Sequence, residues 1–571
     1  MSYRKVFMHR LPVLLLAFFC LASLRAESQT QQAPSPFGET VEVRRATIDV
    51  VVTAKNGEHV KGLGVGDFEL LVDWKPQPIT GFEEVDIKHA PIEVSTGTAD
   101  VPPAAEPSPS ATIDRRRNII LLLDLYSLDG QRRNEAIRSL RRFVASGWSS
   151  GDQVMVALWN RELHVPLTFT SDLGAVERQL DEVMKLSEGG LGKDRKIVEM
   201  RVRFEMQKAQ MASGAASTRE IQDAYNNSIA SAGYYADEQS KRAKNFATDV
   251  EELMRGVAGV PGKKVLVLVG ENFPQLPGLG VFEYVNELFN PYARLLKMRF
   301  AQFLASGRSL SHLVPRLTRA ANANGITVHT IFSGETPSET PTEQEHSTTT
   351  IAQFAEFTNT AGSFGTLSRD TGGVAMLGSR NFDLATTRIA GDLGHYYTLV
   401  WRIGSDAKKS QKVEVRTRDR SLVVRARREL VPKTLDEEIE DRVVSSLYQQ
   451  QTPKSPEVRV QAGKPVQAGR RRTKIPVEVL FPSSLLTLIA QETRRVGGFE
   501  VIIAASDGKN RLSETSRKVM EVAWEPNAIP ETVRYNVEVL VRAGDGGSLA
   551  VAVVDRLSKA TWFQTVAIPE R

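Results

Sequence analysis

The chain has 571 residues, with 73 basic and 68 acidic side chains, a formal net charge of +5 and a single cysteine. The length corresponds to roughly three or four domains. A lone cysteine excludes an intramolecular disulfide, so the fold must rely on packing. The basic clusters lack the interleaved aromatic residues and the continuous basic face of a nucleic-acid-binding surface, so we expect no binding to nucleic acid.

Residues 1–26 have the pattern of a secretory signal peptide. Basic residues precede an apolar run over residues 11–21, small residues continue to Ala26, and no acid interrupts them. The run is shorter than the ~20 residues of a membrane-spanning helix, so we expect no transmembrane span. The residues before Cys20 are too bulky for a lipoprotein cleavage site, so we expect no lipid anchor. We predict an exported protein, periplasmic or extracellular.

Residues 38–89 alternate apolar and polar side chains in the manner of short β-strands and are predicted to form a small β domain. Asn56-Gly57 is a hairpin turn signal. The glycine-rich run over residues 62–66 lies between strands with no helix following, which is typical of a connection and not of a phosphate-binding loop. Residues 90–113, rich in Pro, Ala and Ser, are predicted to be an extended linker.

Residues 114–432 alternate predicted strands and helices, which indicates a doubly wound α/β sheet. The apolar run over residues 119–123 is typical of a central strand buried on both faces. Three antiparallel strands between residues 395 and 430 are predicted to close this domain. A charged stretch over residues 194–257 interrupts the alternation and predicts a helical insertion. Its composition favours a solvated extension over a partner-binding arm.

Beyond residue 432 the pattern changes again. Residues 433–456 are predicted to be a linking helix, and residues 457–571 contain short strands at regular spacing with Asp507-Gly508 as a turn. That spacing predicts an immunoglobulin-like β-sandwich, a type of domain that commonly serves as a spacer or a binding module.

Catalytic motifs are missing from the sequence, so we do not expect an enzyme. The eight histidines are scattered and form no His-Glu-x-x-His pair, and no Gly-x-Ser-x-Gly elbow occurs. Cys20 lies within the predicted signal, so the mature chain has no cysteine nucleophile. No catalytic residue is assigned. The one stretch with candidate chemistry is "RNIILLLDLYSLDG", where Asp124 leaves a buried strand at the edge where open α/β sheets bind ligands.

Three stretches resemble the von Willebrand factor A (VWFA) fold, and more closely the exported VWFA-related domain family of acidobacterial type. They are "IDVVVTAKNGEHVKGLGVGDFELLVDWKPQPITGFEEVD", "RNIILLLDL" and "RDTGGVAMLGSRNFDLATTRIAGDLGHYYTLVWRIG" followed by "QKVEVRTRDRSLVVRARREL". They occur in the family's order over residues 40–430. The resemblance implies contacts with protein partners. In members with a working metal-ion-dependent adhesion site, a first strand ending in Asp-x-Ser-x-Ser, a loop Thr and an Asp after a later strand hold the cation.

The first strand departs from that metal motif. Asp124 is kept, but Tyr126 and Leu128 stand at the two serine positions. Ser127 is one residue off, and in an extended segment its side chain would point the other way. Tyr126 would then fill the crevice at the carboxyl ends of the strands. Tyr126, Ser127 and Asp129 are the candidates for a binding face.

The other two motif positions also differ. Leu191 follows the glycine pair where the loop Thr is expected, and Glu271 replaces the later Asp. Mg²⁺ requires near-octahedral oxygen ligands, and at most Asp124, Glu271 and Asp129 remain to supply them. We therefore predict a degenerate site and no cofactor. Binding of Mg²⁺ or Ca²⁺ through Asp124 and Glu271 is the alternative.

The sequence thus predicts an exported, non-enzymatic protein that mediates protein–protein contacts or adhesion through a VWFA-like domain with a degenerate metal site. The partner is not identified by any motif. Two alternatives stay open at this point. One is metal-dependent adhesion through Asp124 and Glu271, and the other is an envelope hydrolase or carbohydrate-binding protein with an unrecognised site.

Overall fold

The structure is a computed structural model that describes residues 44–87, 116–149, 151–186, 189–211, 218–296, 308–334, 348–378, 381–404, 410–449, 455–469, 472–542 and 546–569. Arg44–Arg571 form one compact unit. The predicted signal peptide and the predicted linker lie outside the described residues. None of the helices in the described ranges has the length and apolar character needed to cross a membrane.

Helices and strands alternate through the centre of the chain as the sequence predicts. The first strands are β1 (Arg44–Thr53), β2 (Phe68–Val72), β3 (Lys75–Pro76) and β4 (Gly81–Asp86). The central elements are β5 (Arg117–Asp124), α1 (Gly130–Gly147), β6 (Gln153–Trp159), β7 (Leu163–Thr170), α2 (Leu173–Met184), α3 (Leu191–Met211), α4 (Thr218–Gly256), β8 (Lys263–Gly270), α5 (Leu279–Phe289), α6 (Leu313–Ala323), β9 (Ile326–Phe332), α7 (Thr348–Asp370), β10 (Ala375–Leu377) and α8 (Phe382–Gly394). Among these, the structure adds strand β7 and helices α5 and α7, which the sequence pattern did not indicate.

The remaining elements are mostly strands. They are β11 (His395–Ile403), β12 (Gln411–Thr417), β13 (Val423–Ala426), β14 (Glu429–Leu430), α9 (Leu435–Ser446), β15 (Arg459–Ala462), β16 (Val466–Gln467), β17 (Arg472–Pro482), β18 (Ile489–Gln491), β19 (Arg494–Asp507), β20 (Ser516–Trp524), β21 (Thr532–Arg542), β22 (Gly547–Asp555) and β23 (Thr561–Ala567). Helices dominate the centre of the chain, and strands dominate its two ends.

A six-stranded sheet in the order β10-β9-β8-β5-β6-β7 forms the centre of the molecule. Its strands are parallel except β7, which pairs antiparallel with β6. Ile120 and Leu122 of β5 pack in one core with α4, α6 and α7. Leu121 and Leu123 pack on the other face with α1, α2 and α8. Helices therefore cover both faces, and the predicted mixed α/β architecture is confirmed.

The strand order fixes where a ligand would meet this sheet. From β5 the chain builds outward through β6 and β7 on one side, and through β8, β9 and β10 on the other. Strands β5 and β8 are adjacent and parallel, so their carboxyl ends lie side by side. The strand order reverses between β5 and β8, and open α/β sheets bind ligands in the crevice at such a point, outside the carboxyl ends of the strands. Asp124 ends β5 there, and Glu271 directly follows β8.

The predicted helical insertion contains α3 and α4, which run antiparallel. Asn227 donates to Glu205 at 3.1 Å, and Arg242 pairs with Asp194 at 2.8 Å. One face of α3 packs with the first half of α4 and with α5. The last turns of α4, from Ala243 to Met254, instead cover one face of the six-stranded sheet. The insertion is therefore joined to the main core, a contact that the charged composition did not indicate.

The N-terminal strands pair with strands that follow α8. Strand β1 pairs antiparallel with β11, β4 pairs with the other edge of β11, and β2 pairs with β12. Two four-stranded sheets result, and they enclose a common core that contains Ile48, Leu70, Tyr397 and Trp401. The strands that the sequence pattern assigned to a separate N-terminal β domain and to the end of the α/β domain thus form one unit of structure.

The C-terminal strands form two antiparallel sheets. One contains β15, β16, β17 and β21, and the other contains β18, β19, β20, β22 and β23. Val477 and Phe481 from the first sheet share a core with Phe499 and Val501 from the second. On its opposite face, β19 contributes Ile502 to the core of the central sheet, beside helix α9. The C-terminal strands are therefore packed against the rest of the molecule.

Candidate functional site

Asp124 caps the turn that follows β5. Its side chain is buried, and Oδ1 accepts hydrogen bonds from the backbone N–H groups of Tyr126 and Ser127, both at 3.2 Å. Burial raises the pKa of Asp124 to about 7, and the nearby Glu271 carboxyl adds to the rise, while the hydrogen bonds from Ser127 oppose it. A short acidic side chain used in this way needs no metal ion.

Ser127 is hydrogen-bonded to Asp124, which the sequence did not predict. Residues 125–127 form a turn and not an extended segment, so the prediction that the Ser127 side chain points the other way from Asp124 is wrong. Its hydroxyl donates to the carbonyl oxygen of Asp124 at 3.3 Å and accepts from the backbone N–H of Glu271 at 2.9 Å. Ser127 thereby ties the end of β5 to the end of β8.

Arg132 links the other two carboxylates of the site. Its Nη1 lies 3.2 Å from Oε2 of Glu271, and its Nε lies 3.1 Å from Oδ2 of Asp129. Asp129 also begins helix α1, where its Oδ1 accepts from the backbone N–H of Arg132 at 2.9 Å. Ser333 donates to the remaining oxygen of Glu271 at 2.9 Å. Burial raises the pKa of Glu271 and Arg132 lowers it. A guanidinium thus bridges two carboxylates where a metal site would need a cation.

Tyr126 is buried and fastened to the helical insertion. Its hydroxyl donates to Oδ2 of Asp194 at 2.8 Å and also contacts Arg242. The guanidinium carbon of Arg242 lies 4.5 Å from the centre of the Tyr126 ring, and Trp159 packs edge-on at 6.1 Å. The ring is therefore buried between the end of β6 and the helical insertion.

The glycine pair before Leu191 packs directly on this turn. A Cβ added to Gly189 would lie 2.5 to 2.6 Å from the carbonyl oxygens of Leu125, Tyr126 and Leu128. The backbone N–H of Leu191 donates to the carbonyl oxygen of Tyr126 at 3.1 Å. The loop that would supply a metal-binding Thr in the VWFA motif supplies a backbone hydrogen bond here instead.

These residues do not fit a divalent cation. Leu128 is fully buried in the core beneath the sheet, and the Tyr126 hydroxyl is already bonded to charged partners. Arg132 already forms ion pairs with both Asp129 and Glu271. Within the described ranges no group of three or more His, Cys, Asp or Glu side chains is placed to hold a metal ion. The nearby hydroxyls of Ser127 and Ser333 are already engaged, with the carbonyl oxygen of Asp124, the backbone N–H of Glu271 and the Glu271 carboxylate, so the oxygen atoms near Asp124 are not arranged as the octahedral ligands that Mg²⁺ requires.

The structure brings Asp124, Glu271 and Asp129 to one edge of the sheet, but it does not expose all the candidates for a binding face. Tyr126 and Ser127 are buried, because the turn folds back onto the sheet. Asp129 is the exposed member, with about half of its side chain, 48%, accessible to solvent. A partner that approaches this edge therefore meets Asp129, and not Tyr126 or Ser127.

Sequence reasoning missed four residues of the site: Arg132, Ser333, Asp194 and Arg242. A signal for Arg132 was present, because it follows Asp129 by three residues at the start of a predicted helix. No local signal existed for Asp194 and Arg242, which are 48 residues apart in the chain and meet only through the packing of α3 on α4.

Solved structures with similarity to this chain overlap it only loosely. The conserved hypothetical protein BatB from Bacteroides thetaiotaomicron is 12% identical, with 49% of this chain and 96% of BatB covered and a TM-score of 0.22. A von Willebrand factor type A protein from Catenulispora acidiphila is 9% identical, with 79% and 65% covered and a TM-score of 0.22. Proximal thread matrix protein 1 from the mussel byssus is 8% identical, with 51% and 50% covered and a TM-score of 0.23. No known protein family and no curated protein matched the sequence.

Proposed function

We propose that the chain is an exported, non-enzymatic protein that binds other proteins through a VWFA-like sheet whose metal site has been replaced by internal ion pairs. The observation that carries this proposal is the Arg132 guanidinium, which bridges Asp129 and Glu271 beside the buried Asp124. The positive charge of Arg132 offsets the repulsion between these carboxylates, so this edge of the sheet does not need a metal ion to keep its shape.

The arrangement of the sheet supports the VWFA-like part of the proposal. The site lies where β5 and β8 end side by side, at the reversal of strand order. Asp124 and Glu271 are mostly buried and bonded to internal partners, so neither carboxyl is presented to a substrate. Asn160 and Arg161 are exposed between β6 and β7, and the Arg161 guanidinium carbon lies 5.7 Å from the Tyr126 ring centre. With Asp129, they form a polar rim for a protein partner.

A metal titration separates this proposal from metal-dependent adhesion through Asp124 and Glu271. The full chain and Asp124→Asn, whose amide oxygen can still cap the turn, are melted with and without millimolar Mg²⁺ or Mn²⁺ at constant ionic strength. We expect the two proteins to show the same small salt effect. A rise in Tm that occurs in the wild type and disappears in Asp124→Asn would establish the metal-dependent alternative.

The partner itself is sought by cross-linking. A photo-reactive amino acid replaces Asn160 in the producing cells, and a matched chain carries it at the exposed Lys518 of β20. We expect a discrete protein adduct with the Asn160 position and none with Lys518. Equal adducts at both positions would mean non-specific contact.

An activity screen of the purified chain tests the hydrolase alternative. Turnover of a substrate that is lost in Asp124→Asn would contradict a non-enzymatic protein.

A further inference from the structure

The outer face of α3 carries a stripe of exposed apolar side chains. Ile197, Met200, Phe204 and Met211 are 50%, 62%, 62% and 83% exposed. Their spacing of three, four and seven residues places them on one side of the helix, within about 60° of one another. The stripe is about 21 Å long at ~1.5 Å per residue. Because α3 packs on α4 and α5 by its opposite side, the stripe forms a ridge and not a groove.

The exposed charges of α3 are all of one sign. They belong to Lys193, Lys196, Arg201, Arg203 and Lys208. At about 100° per residue, Arg201 and Lys208 lie along one side of the stripe, and Lys196 and Arg203 lie along the other. An apolar centre with a basic rim on both sides is the pattern of helices that lie in a membrane interface.

The acids of α3 are turned away from this ridge. Asp194 pairs with Arg242 at 2.8 Å, and Glu199 pairs with Arg195 at 2.7 Å. Glu205 accepts a hydrogen bond from Asn227 of α4 at 3.1 Å. The acids of α3 are therefore paired with other side chains, whereas its exposed charges are basic. One of these bases, Arg203, also donates to the hydroxyl of Tyr284 on α5.

An exposed aromatic side chain lies on the neighbouring helix α4. The antiparallel pairing of α3 and α4, with Asn227 bonded to Glu205 and Arg242 to Asp194, sets Tyr234 of α4 level with the middle of α3. Tyr234 is 70% exposed. Tyrosine is favoured at membrane interfaces, because its ring enters the apolar layer while its hydroxyl stays hydrated.

We propose that the outer face of α3 binds the surface of an anionic phospholipid membrane, with the helix lying in the plane of the interface. The basic rim is complementary to lipid phosphates, and the apolar ridge inserts among the upper acyl segments. A second copy of the chain is a poor occupant, because two such faces would bring like charges together. This proposal is independent of the function proposed for the carboxyl edge of the sheet.

Vesicle flotation tests the proposal directly. The chain from Glu27 onward keeps the compact unit Arg44–Arg571 and removes the apolar run over residues 11–21, which would otherwise bind lipid itself. It is mixed with vesicles of phosphatidylglycerol and phosphatidylcholine, or of phosphatidylcholine alone. We expect flotation with the anionic vesicles only, reduced by high salt. Replacing Met200 and Phe204 together by serine should lower the partition coefficient by about tenfold or more.

Two further variants keep the test specific. Lys196→Gln with Lys208→Gln should weaken binding about fivefold for each base removed. The matched control replaces the exposed Val519 and Met520 of β20 by serine and should bind as the wild type does. Circular dichroism melts check that all variants fold. Equal binding of the wild type and the Met200/Phe204 variant overturns the proposal. Failure of the wild type to bind either vesicle, together with binding to an acidic amphipathic peptide, overturns it in favour of a protein ligand.

Discussion

Among single residues, Tyr126 and Asp124 determine what the end of β5 can do. The Tyr126 ring is buried, and its hydroxyl donates to Asp194 and contacts Arg242 of the helical insertion. The acid that remains, Asp124, turns its carboxylate toward the backbone N–H groups of the turn. The site is therefore satisfied from within the chain.

Arg132 should contribute measurably to the stability of this edge. Replacing it by glutamine leaves Glu271, whose side chain is 14% exposed, without its cation, and we expect a loss of about 2 kcal/mol in the free energy of unfolding. Urea denaturation measures the loss. Arg142→Gln is the matched control, because it removes an exposed ion pair with Asp383 from the same helix and should leave stability nearly unchanged. Equal effects of the two substitutions would contradict a special role for Arg132.

His329 should make stability depend on pH. It is buried in β9, and its Nδ1 accepts from the backbone N–H of Val374 at 3.1 Å. Burial lowers the pKa of His329 to about 4; Arg425 and Lys263 act in the same direction, and Asp392 opposes them. Unfolding makes His329 take up a proton between the folded pKa and the ordinary value near 6.5, so the contribution of His329 to stability should fall as the pH drops through that window. The raised pKa of Asp124 acts with the opposite sign over the same range, so the contribution of His329 is read from the difference between wild type and His329→Gln.

The size of this effect is at most about 3 kcal/mol, and it is measured by urea denaturation at a series of pH values from 7 to 4. His329→Gln, which can still accept the hydrogen bond from Val374, should flatten the profile while lowering stability at pH 7. His312→Gln removes an exposed histidine and is the control. A profile that is unchanged in His329→Gln would assign the pH dependence to other groups.

At the scale of elements, the close contact between two loops defines the edge of the sheet. The turn after β5 packs so closely on the glycine pair before α3 that no Cβ atom fits between them. At Gly189, a side chain would meet three carbonyl oxygens. This contact holds the α3 loop against β5.

Gly189→Ala should therefore destabilise the protein by about 2 kcal/mol or more, because the turn must move to admit the methyl group. Gly192→Ala, three residues later in α3, meets no atom within 4 Å and should be neutral or stabilising by up to about 1 kcal/mol. Thermal melts of the two variants provide the comparison. Similar effects at both positions would show that helix propensity alone explains them.

In the molecule as a whole, the strand that follows the α/β sheet pairs with strands from the N-terminal part of the chain. Strand β11 lies between β1 and β4, so its backbone is bonded on both edges by segments that precede β5. The side chains of Tyr397 and Trp401 on β11 are completely or almost completely buried in the core that these strands share. The α/β sheet and the N-terminal strands are thus parts of one structure.

An isolated fragment of residues 114–432 should therefore not fold as a stable domain. It would leave both edges of β11 unpaired and would expose Tyr397 and Trp401 to water. We expect it to aggregate in size-exclusion chromatography or to melt without a cooperative transition, in contrast to the chain from Glu27 onward. Cooperative unfolding of the fragment near the Tm of that longer chain would show that the N-terminal strands are dispensable.

The strands and helices that depend on neighbouring residues are predictable from the amino-acid sequence. Apolar runs and helical periodicity located most strands and helices of the α/β sheet, because the periods of helices and strands are set by local backbone geometry. The loss of a metal motif at Asp124, Tyr126 and Leu128 stays a prediction from the sequence.

The contacts that hold this edge of the sheet depend on tertiary packing. The Arg132 bridge to Glu271, the anchoring of Tyr126 by Asp194 and Arg242, and the pairing of β1 with β11 join residues far apart in the chain. The outward face of α3 also depends on which of its sides α4 and α5 cover. Charge and hydrogen-bond partners act over a few ångströms of space, so packing, and not local sequence order, selects them.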